Sequence, residues 1–154
     1  MKRAGFTMIE LIFVIVILGI LSAVALPKLI GVKEQAEEGI VKSFVGTLNR
    51  TIGPTKWSAS LMDGNDGSIK TAAYKITSSD ADFPADFNGT NGIDTTKCAA
   101  STATTSSAHA ITSSGTPVYG IVCRDGNASS APRFWYTETA DGTAVTFDDS
   151  KLKI

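Results

Sequence analysis

The sequence predicts an α+β fold in which one long N-terminal helix, apolar in its first half and amphipathic in its second, packs on a small C-terminal antiparallel sheet. Three observations predict it. Residues 4–27 carry a single charge, Glu10, and residues 11–27 carry none. After Pro27 the apolar residues Leu29, Val32, Ala36, Ile40, Phe44, Leu48 and Ile52 recur every three or four positions, which is one stripe of a helix. The last third holds short runs rich in β-branched and aromatic residues, the pattern of strands.

At 154 residues the chain has room for about one domain. Its net charge of −1 gives no basic surface for nucleic acid and no acidic tail. One histidine and two cysteines exclude a Cys/His-rich zinc cluster. His109 stands by itself in a Ser/Thr/Ala stretch and reads as a solvated loop residue. With no nucleophile motif and no glycine-rich phosphate loop after a strand, the chain does not read as an enzyme, and nothing in it calls for a cofactor.

Taken in order, residues 6–26 are about long enough to span a hydrocarbon core of ~30 Å at ~1.5 Å per residue. They also fit a removed secretory signal, with Lys2 and Arg3 as its basic start, residues 11–21 as its apolar centre and Ala23-Val24-Ala25 as a cleavage site. Neither reading wants Glu10, because a carboxylate inside a membrane helix costs about 2.5–3.5 kcal/mol and usually marks a partnered position. A helix over residues 6–53 would be about 72 Å long, kinked at Pro27 and ended or kinked by Pro54. Lys33/Glu37 and Glu38/Lys42 are spaced for pairs along its surface. Gly31, Gly39, Gly46 and Gly53 read as points of close packing against the sheet. A second helical segment is expected over 55–62, with Trp57 and Leu61 on one side.

Residues 63–67, Asp-Gly-Asn-Asp-Gly, form a turn by their chemistry. They fail as an EF-hand because the twelfth position counted from Asp63 is Tyr74, not Glu. Residues 77–117 read as a long surface excursion with at most one short helix. Strands are expected over 118–124, 133–139 and 143–147, the last two joined by a tight Asp141-Gly142 hairpin into a meander of three or four strands. Tyr119, Phe134, Trp135, Tyr136 and Phe147 are then core rather than an exposed adhesive patch.

The stretch Gly5-Phe6-Thr7-Met8-Ile9-Glu10-Leu11, followed by an apolar run to Pro27, resembles the N-terminus of type IV pilins and type II secretion pseudopilins. The likeness is specific over about 25 residues and weaker as far as residue 62, where the sequence is most similar to MSHA-type pilins. Farther on, only the architecture is similar. The resemblance implies the pilin fold, with a leader over residues 1–5, a membrane and filament-core helix over 6–27, and a globular part over 28–154 that includes the second half of the helix. It implies cleavage between Gly5 and Phe6, N-methylation of Phe6, and a role for Glu10 in assembly. The implied partners are copies of itself, other pilins or pseudopilins, a prepilin peptidase that also methylates, and an inner-membrane assembly platform with its ATPase. Membrane lipid surrounds the helix before assembly, and no direct nucleic-acid site is evident. Before assembly the chain would cross the inner membrane once, with Lys2 and Arg3 cytoplasmic and the C-terminus periplasmic, although Lys28 and Lys33 weaken that asymmetry.

Both cysteines then lie outside the cytoplasm, where an even count suggests one disulfide, Cys98 to Cys123, of the kind many pilins use to staple a C-terminal loop. A pilin of a surface filament for adhesion, motility or DNA uptake and a pseudopilin of a secretion piston both fit. The disulfide and the Ser/Thr-rich excursion favour the pilin, whereas calcium held by residues such as Asp141, Asp148 and Asp149 would favour the pseudopilin. A secreted or anchored binding domain behind an ordinary signal is the alternative from another class. Asp86-Phe87-Asn88-Gly89-Thr90 and Asp125-Gly126-Asn127-Ala128-Ser129 both match D-x-N-x-[ST], an acceptor pattern for bacterial N-glycosylation at Asn88 and Asn127 in expected surface loops.

Overall fold

A computed structural model describes residues 5–85, 87, 92–106, 109–114, 117–138, 144–147 and 153–154. The chain divides into two units, Met1–Glu37 and Glu38–Ile154. In the first, helix α1 (Met8–Thr47) begins and runs through Pro27 without ending there. Every described residue from Gly5 to Lys28 is exposed. The apolar run has no partner for its side chains within its own unit, so local hydrogen bonding and helix propensity hold it, as in the bond from Ser22 Oγ to Leu18 O (2.7 Å). Lys33 and Glu37 form the expected pair at 3.3 Å.

In the second unit the regular α-helix is interrupted just ahead of Pro54, and the segment expected to be helical over 55–62 is so. A single wide turn, Leu48–Ile52, joins α1 to helix α2 (Gly53–Met62), and the Gly53 N–H reaches back five residues to Leu48 O. Pro54 lies in the first turn of α2, directly after this wide turn, the kind of local widening that accommodates a proline. Gly53 is the one helix glycine of the four expected to be closely packed that is so: a Cβ there would sit 2.9 Å from Leu48 O and 3.1 Å from the Phe134 ring. Gly31, Gly39 and Gly46 face open space.

The strands are β1 (Thr105–Ser106), β2 (Ile111–Thr112), β3 (Gly120–Arg124), β4 (Arg133–Thr137) and β5 (Val145–Thr146). β2, β3 and β4 form an antiparallel sheet in that order, with Val122 opposite Trp135 and Cys123 opposite Phe134. The final strand corrects the expected meander. β5 pairs with β1 in a separate two-stranded sheet, Thr105 opposite Thr146, rather than folding back on β4. The far edge of β4 is closed by other groups. The Asn49 amide exchanges two hydrogen bonds with the Phe134 backbone (2.8 and 2.9 Å), and the Lys153 backbone exchanges two with Tyr136 (both 3.1 Å). The wide turn carries Asn49, so it continues the helix and also caps a sheet edge.

The buried stripe of the helix is Val41, Phe44, Val45, Leu48 and Ile52. The expected stripe is thus buried at Phe44, Leu48 and Ile52, whereas Val32 and Ile40 remain 60% and 49% exposed. The expected surface excursion over 77–117 is not a bare loop: it sends Phe87, Ile93, Cys98 and Ile111 into the core, where Ile93 bridges Ile76. Ile69, Tyr74 and Ile76, just ahead of it, are buried as well. Among its described residues lie one short helical turn, Thr95–Lys97, and the strands β1 and β2. Tyr119, Phe134, Trp135, Tyr136 and Phe147 are all buried. Cys98 and Cys123 are bonded to each other and buried, beside a parallel bridge in which Ala99 N–H donates to Cys123 O (2.9 Å) and Asp125 N–H to Ala99 O (2.8 Å).

Candidate functional site

The N-terminal segment holds the residues with the most specific chemistry. Gly5, Phe6 and Thr7 precede α1 in non-helical conformation, and Phe6 is 87% exposed. Thr7 stands at the N-cap and Glu10 three residues on, and the two side chains reciprocate. Glu10 N–H donates to Thr7 Oγ1 (3.4 Å), while Thr7 N–H and Thr7 Oγ1 donate to Glu10 Oε2 (3.4 and 3.3 Å). This is a capping box, which satisfies orphan donors of the first turn and places a negative charge at the positive end of the helix dipole. The sequence reading missed it, although the signal was present as Thr7-Met8-Ile9-Glu10, a T-x-x-E ahead of an apolar run. The contacts are long, so the carboxylate is only loosely held.

Other sites singled out in the sequence are placed differently. His109 is buried, not solvated: its ring lies against Gly120, where a Cβ would come within 2.2 Å of it. Small Gly120 leaves the space that the imidazole fills. Asp125 is buried too, accepting from Ser68 Oγ (2.6 Å), Ile69 N–H (2.8 Å) and Gly126 N–H (2.9 Å). The acid of the second glycosylation-like pattern is thus committed to the fold, not presented in a surface loop. Asn127 is half-buried, its Oδ1 accepting from the N–H and Oγ of Ser129 and its carbonyl from Trp57 Nε1 (2.8 Å). Asn88, Asp141, Asp148 and Asp149 lie outside the described residues. The Asp63–Gly67 segment is a turn, with Asp63 Oδ2 accepting from Tyr74 OH (2.7 Å). Among the described residues no three His, Cys, Asp or Glu side chains gather as a metal site would require.

At the C-terminus, Lys153 Nζ bonds Glu38 (2.6 Å) and Glu138 (3.0 Å), and Tyr136 OH donates to Glu38 (3.2 Å). Glu38 therefore serves Lys153 rather than the expected Lys42. The hydrogen bond from Lys153, then that from Tyr136, holds the Glu38 carboxyl below its ordinary range. Burial and the Glu38 charge push the Tyr136 phenol up to about 12. Bonds to Glu38 and Glu138 raise the Lys153 ammonium.

Among the described residues one helix is long and apolar enough to cross a membrane, judged by length and composition. A prokaryotic N-terminal methylation motif matches residues 1–26. Over 76 residues the chain is 32% identical to type II secretion system core protein G of Vibrio cholerae serotype O1, an alignment covering 49% of this chain and 52% of that protein. Its N-terminal segment thus carries the methylation motif, and about half of the chain is similar to a type II secretion core protein. The chain spans about half the length of the curated relative it matches. No solved structure matches it at a significant level. Its long helix and small antiparallel sheet form the α+β pilin fold.

Proposed function

We propose that this chain is a subunit of a type IV filament, cut between Gly5 and Phe6 by a prepilin peptidase, methylated at Phe6, and polymerised through residues 6–27. One observation carries the reading: a single carboxylate, Glu10, stands near the start of a stretch, residues 6–27, that is otherwise uncharged and largely apolar, inside a segment that matches the methylation motif. An apolar arm exposed on all sides needs lipid or other arms to cover it. Before assembly the arm lies in the inner membrane, with residues 28–154 in the periplasm. In the filament, arm–lipid contacts are exchanged for arm–arm contacts. The buried disulfide suits an oxidising compartment and favours a pilin of a surface filament. A second reading, a pseudopilin of a type II secretion machine, is favoured by the likeness to core protein G.

Mass spectrometry of the mature N-terminus tests the proposal. An N-methylated Phe6 is the expected result. A chain beginning at Leu26 would mark an ordinary secretory signal and remove the filament reading.

A further inference from the structure

Outside residues 6–27, and among the described side chains, α1 leaves Val32 and Ile40 in water, 60% and 49% exposed. Ile40 forms one lip of a groove of about 480 Å³ in the second unit, together with Phe44, Ala81, Phe83 and Pro84. The floor is aromatic and firm. Phe44 is buried, with its ring centroid 5.0 Å from that of Phe83 and 5.9 Å from that of Phe87. Asp82 stands exposed on the rim, and among the described residues no cation pairs with it. Lys28 is likewise exposed and without a described carboxylate partner. Lys28 and Val32 are four residues apart on α1, so they share one helix face.

We propose that the groove seats the Lys28 and Val32 face of α1 from a second copy of the chain, with Val32 entering between Ile40 and Phe83 and Lys28 pairing with Asp82. The proposal rests on the filament reading and adds the surface by which neighbouring copies dock. Complementarity of charge and of apolar shape selects the occupant: an unpaired anion beside an apolar groove meets an unpaired cation beside an exposed valine. Val32 lies beyond the apolar stretch that lipid or packed arms would cover. In a filament a second copy is always at hand.

Paired cysteine substitutions in the full-length chain test this. The native cysteines are bonded and buried, so they leave engineered thiols undisturbed. Cells co-expressing a Val32→Cys chain and an Ala81→Cys chain should yield an oxidised dimer in sheared filaments, absent when Met62→Cys replaces Ala81→Cys. Asp82→Lys should reduce filament yield at least tenfold, and adding Lys28→Asp in the same chain should restore it. Normal filaments that give no dimer and tolerate Asp82→Lys would overturn the docking proposal alone. An Ala81→Cys cross-link to a different protein would overturn it too. Absence of any filament from the wild-type chain would overturn the filament reading, and the docking proposal with it.

Discussion

Replacing the buried Asp125 by alanine should strongly destabilise the Glu38–Ile154 unit. Its carboxylate accepts three hydrogen bonds at 2.6–2.9 Å, from Ser68 Oγ and the N–H groups of Ile69 and Gly126. Ile69 is fully buried, so its N–H has no water to turn to. Leaving a buried donor unpaired costs about 1–3 kcal/mol, and a hydrogen bond to a charged group contributes about 1.5–3 kcal/mol. Because the three bonds share one acceptor group they do not add, and a loss of about 3–5 kcal/mol follows. The loops that Asp125 joins are also in close contact. A Cβ on Gly67 would sit 2.6 Å from both Asn127 O and Trp57 Nε1, which leaves little room to relax toward a new partner. Asp125→Asn keeps one acceptor oxygen but turns an NH₂ toward a donor, so it should cost less, about 1–2 kcal/mol. For a unit of this size each kcal/mol lowers the melting temperature by about 4 °C. Thermal melts of the full-length chain in detergent, followed by near-ultraviolet circular dichroism of Trp57 and Trp135, should therefore fall by about 12–20 °C for the alanine variant and about 4–8 °C for the asparagine variant. An alanine variant that melts with the wild type, or an asparagine variant that melts below the alanine one, would refute the reasoning.

The Cys98 to Cys123 bond closes a loop with a sequence separation of 25, so Cys98→Ser should cost about 3.5 kcal/mol on the chain-entropy account. Non-reducing peptide mapping that recovers both thiols free from surface material would contradict the pairing. The Lys153, Glu38 and Tyr136 cluster sets a pH window. Glu38 is held below its ordinary 4.5, so its contribution is present above that pH and fades as acid protonates it. Lys153 is raised above its ordinary 10.5, and Tyr136 is pushed up from 10.0 to about 12, so their contributions are complete below about 10 and fade as pH rises. Lys153→Met should lower the melting temperature by a few degrees at pH 7 and flatten both limbs. The effect should shrink in high salt, since both partners are partly exposed. A Lys153→Met variant with an unchanged pH profile would rule out this account. Glu10→Val and Glu10→Gln should leave membrane insertion and cleavage intact and sharply reduce filament incorporation. Normal filaments built from Glu10→Val subunits alone would exclude an assembly role for the carboxylate.

The parts of the fold legible in the sequence were those set by long, regular patterns: the helix, the strands around Val122 and Trp135, and the aromatic core. What was not legible depended on contacts between distant segments. Nothing local tells β5 to pair with β1 instead of β4. The side chain of Asn49 and the backbone of Lys153 occupy the β4 edge, so a returning hairpin strand finds that edge taken. The burial of Asp125 and His109 was hidden for a similar reason, since both sit in polar stretches and only the packing of Ser68 and Gly120 against them shows their place. At the N-terminus the local pattern was complete, and the capping box could have been read from residues 7–10 alone.

That capping box bears directly on why a charge belongs at position 10. If helix capping were the whole role, Thr7 and Glu10 would act as one unit. Removing either would cost about 1 kcal/mol of helix stability, a modest and similar loss. The distances argue for something further. At 3.3–3.4 Å the contacts to Thr7 are longer than the roughly 2.7–2.9 Å of a charge-assisted N–H to carboxylate bond. The carboxylate is stable enough at a membrane boundary but poorly satisfied for burial in a packed apolar core, where an unpaired charge is costly. Cleavage after Gly5 would create a stronger partner, the amine of Phe6, which methylation leaves cationic. Phe6 precedes α1 in non-helical conformation while the Glu10 carboxylate is turned to Thr7, and the pairing proposed here is between copies. Correct stagger neutralises both charges, and incorrect stagger strands both in apolar surroundings. The two roles separate experimentally. Thr7→Val, which removes the hydroxyl but keeps Glu10, should reduce assembly only mildly, whereas Glu10→Val should nearly abolish it. Equal and mild defects would assign Glu10 to capping alone.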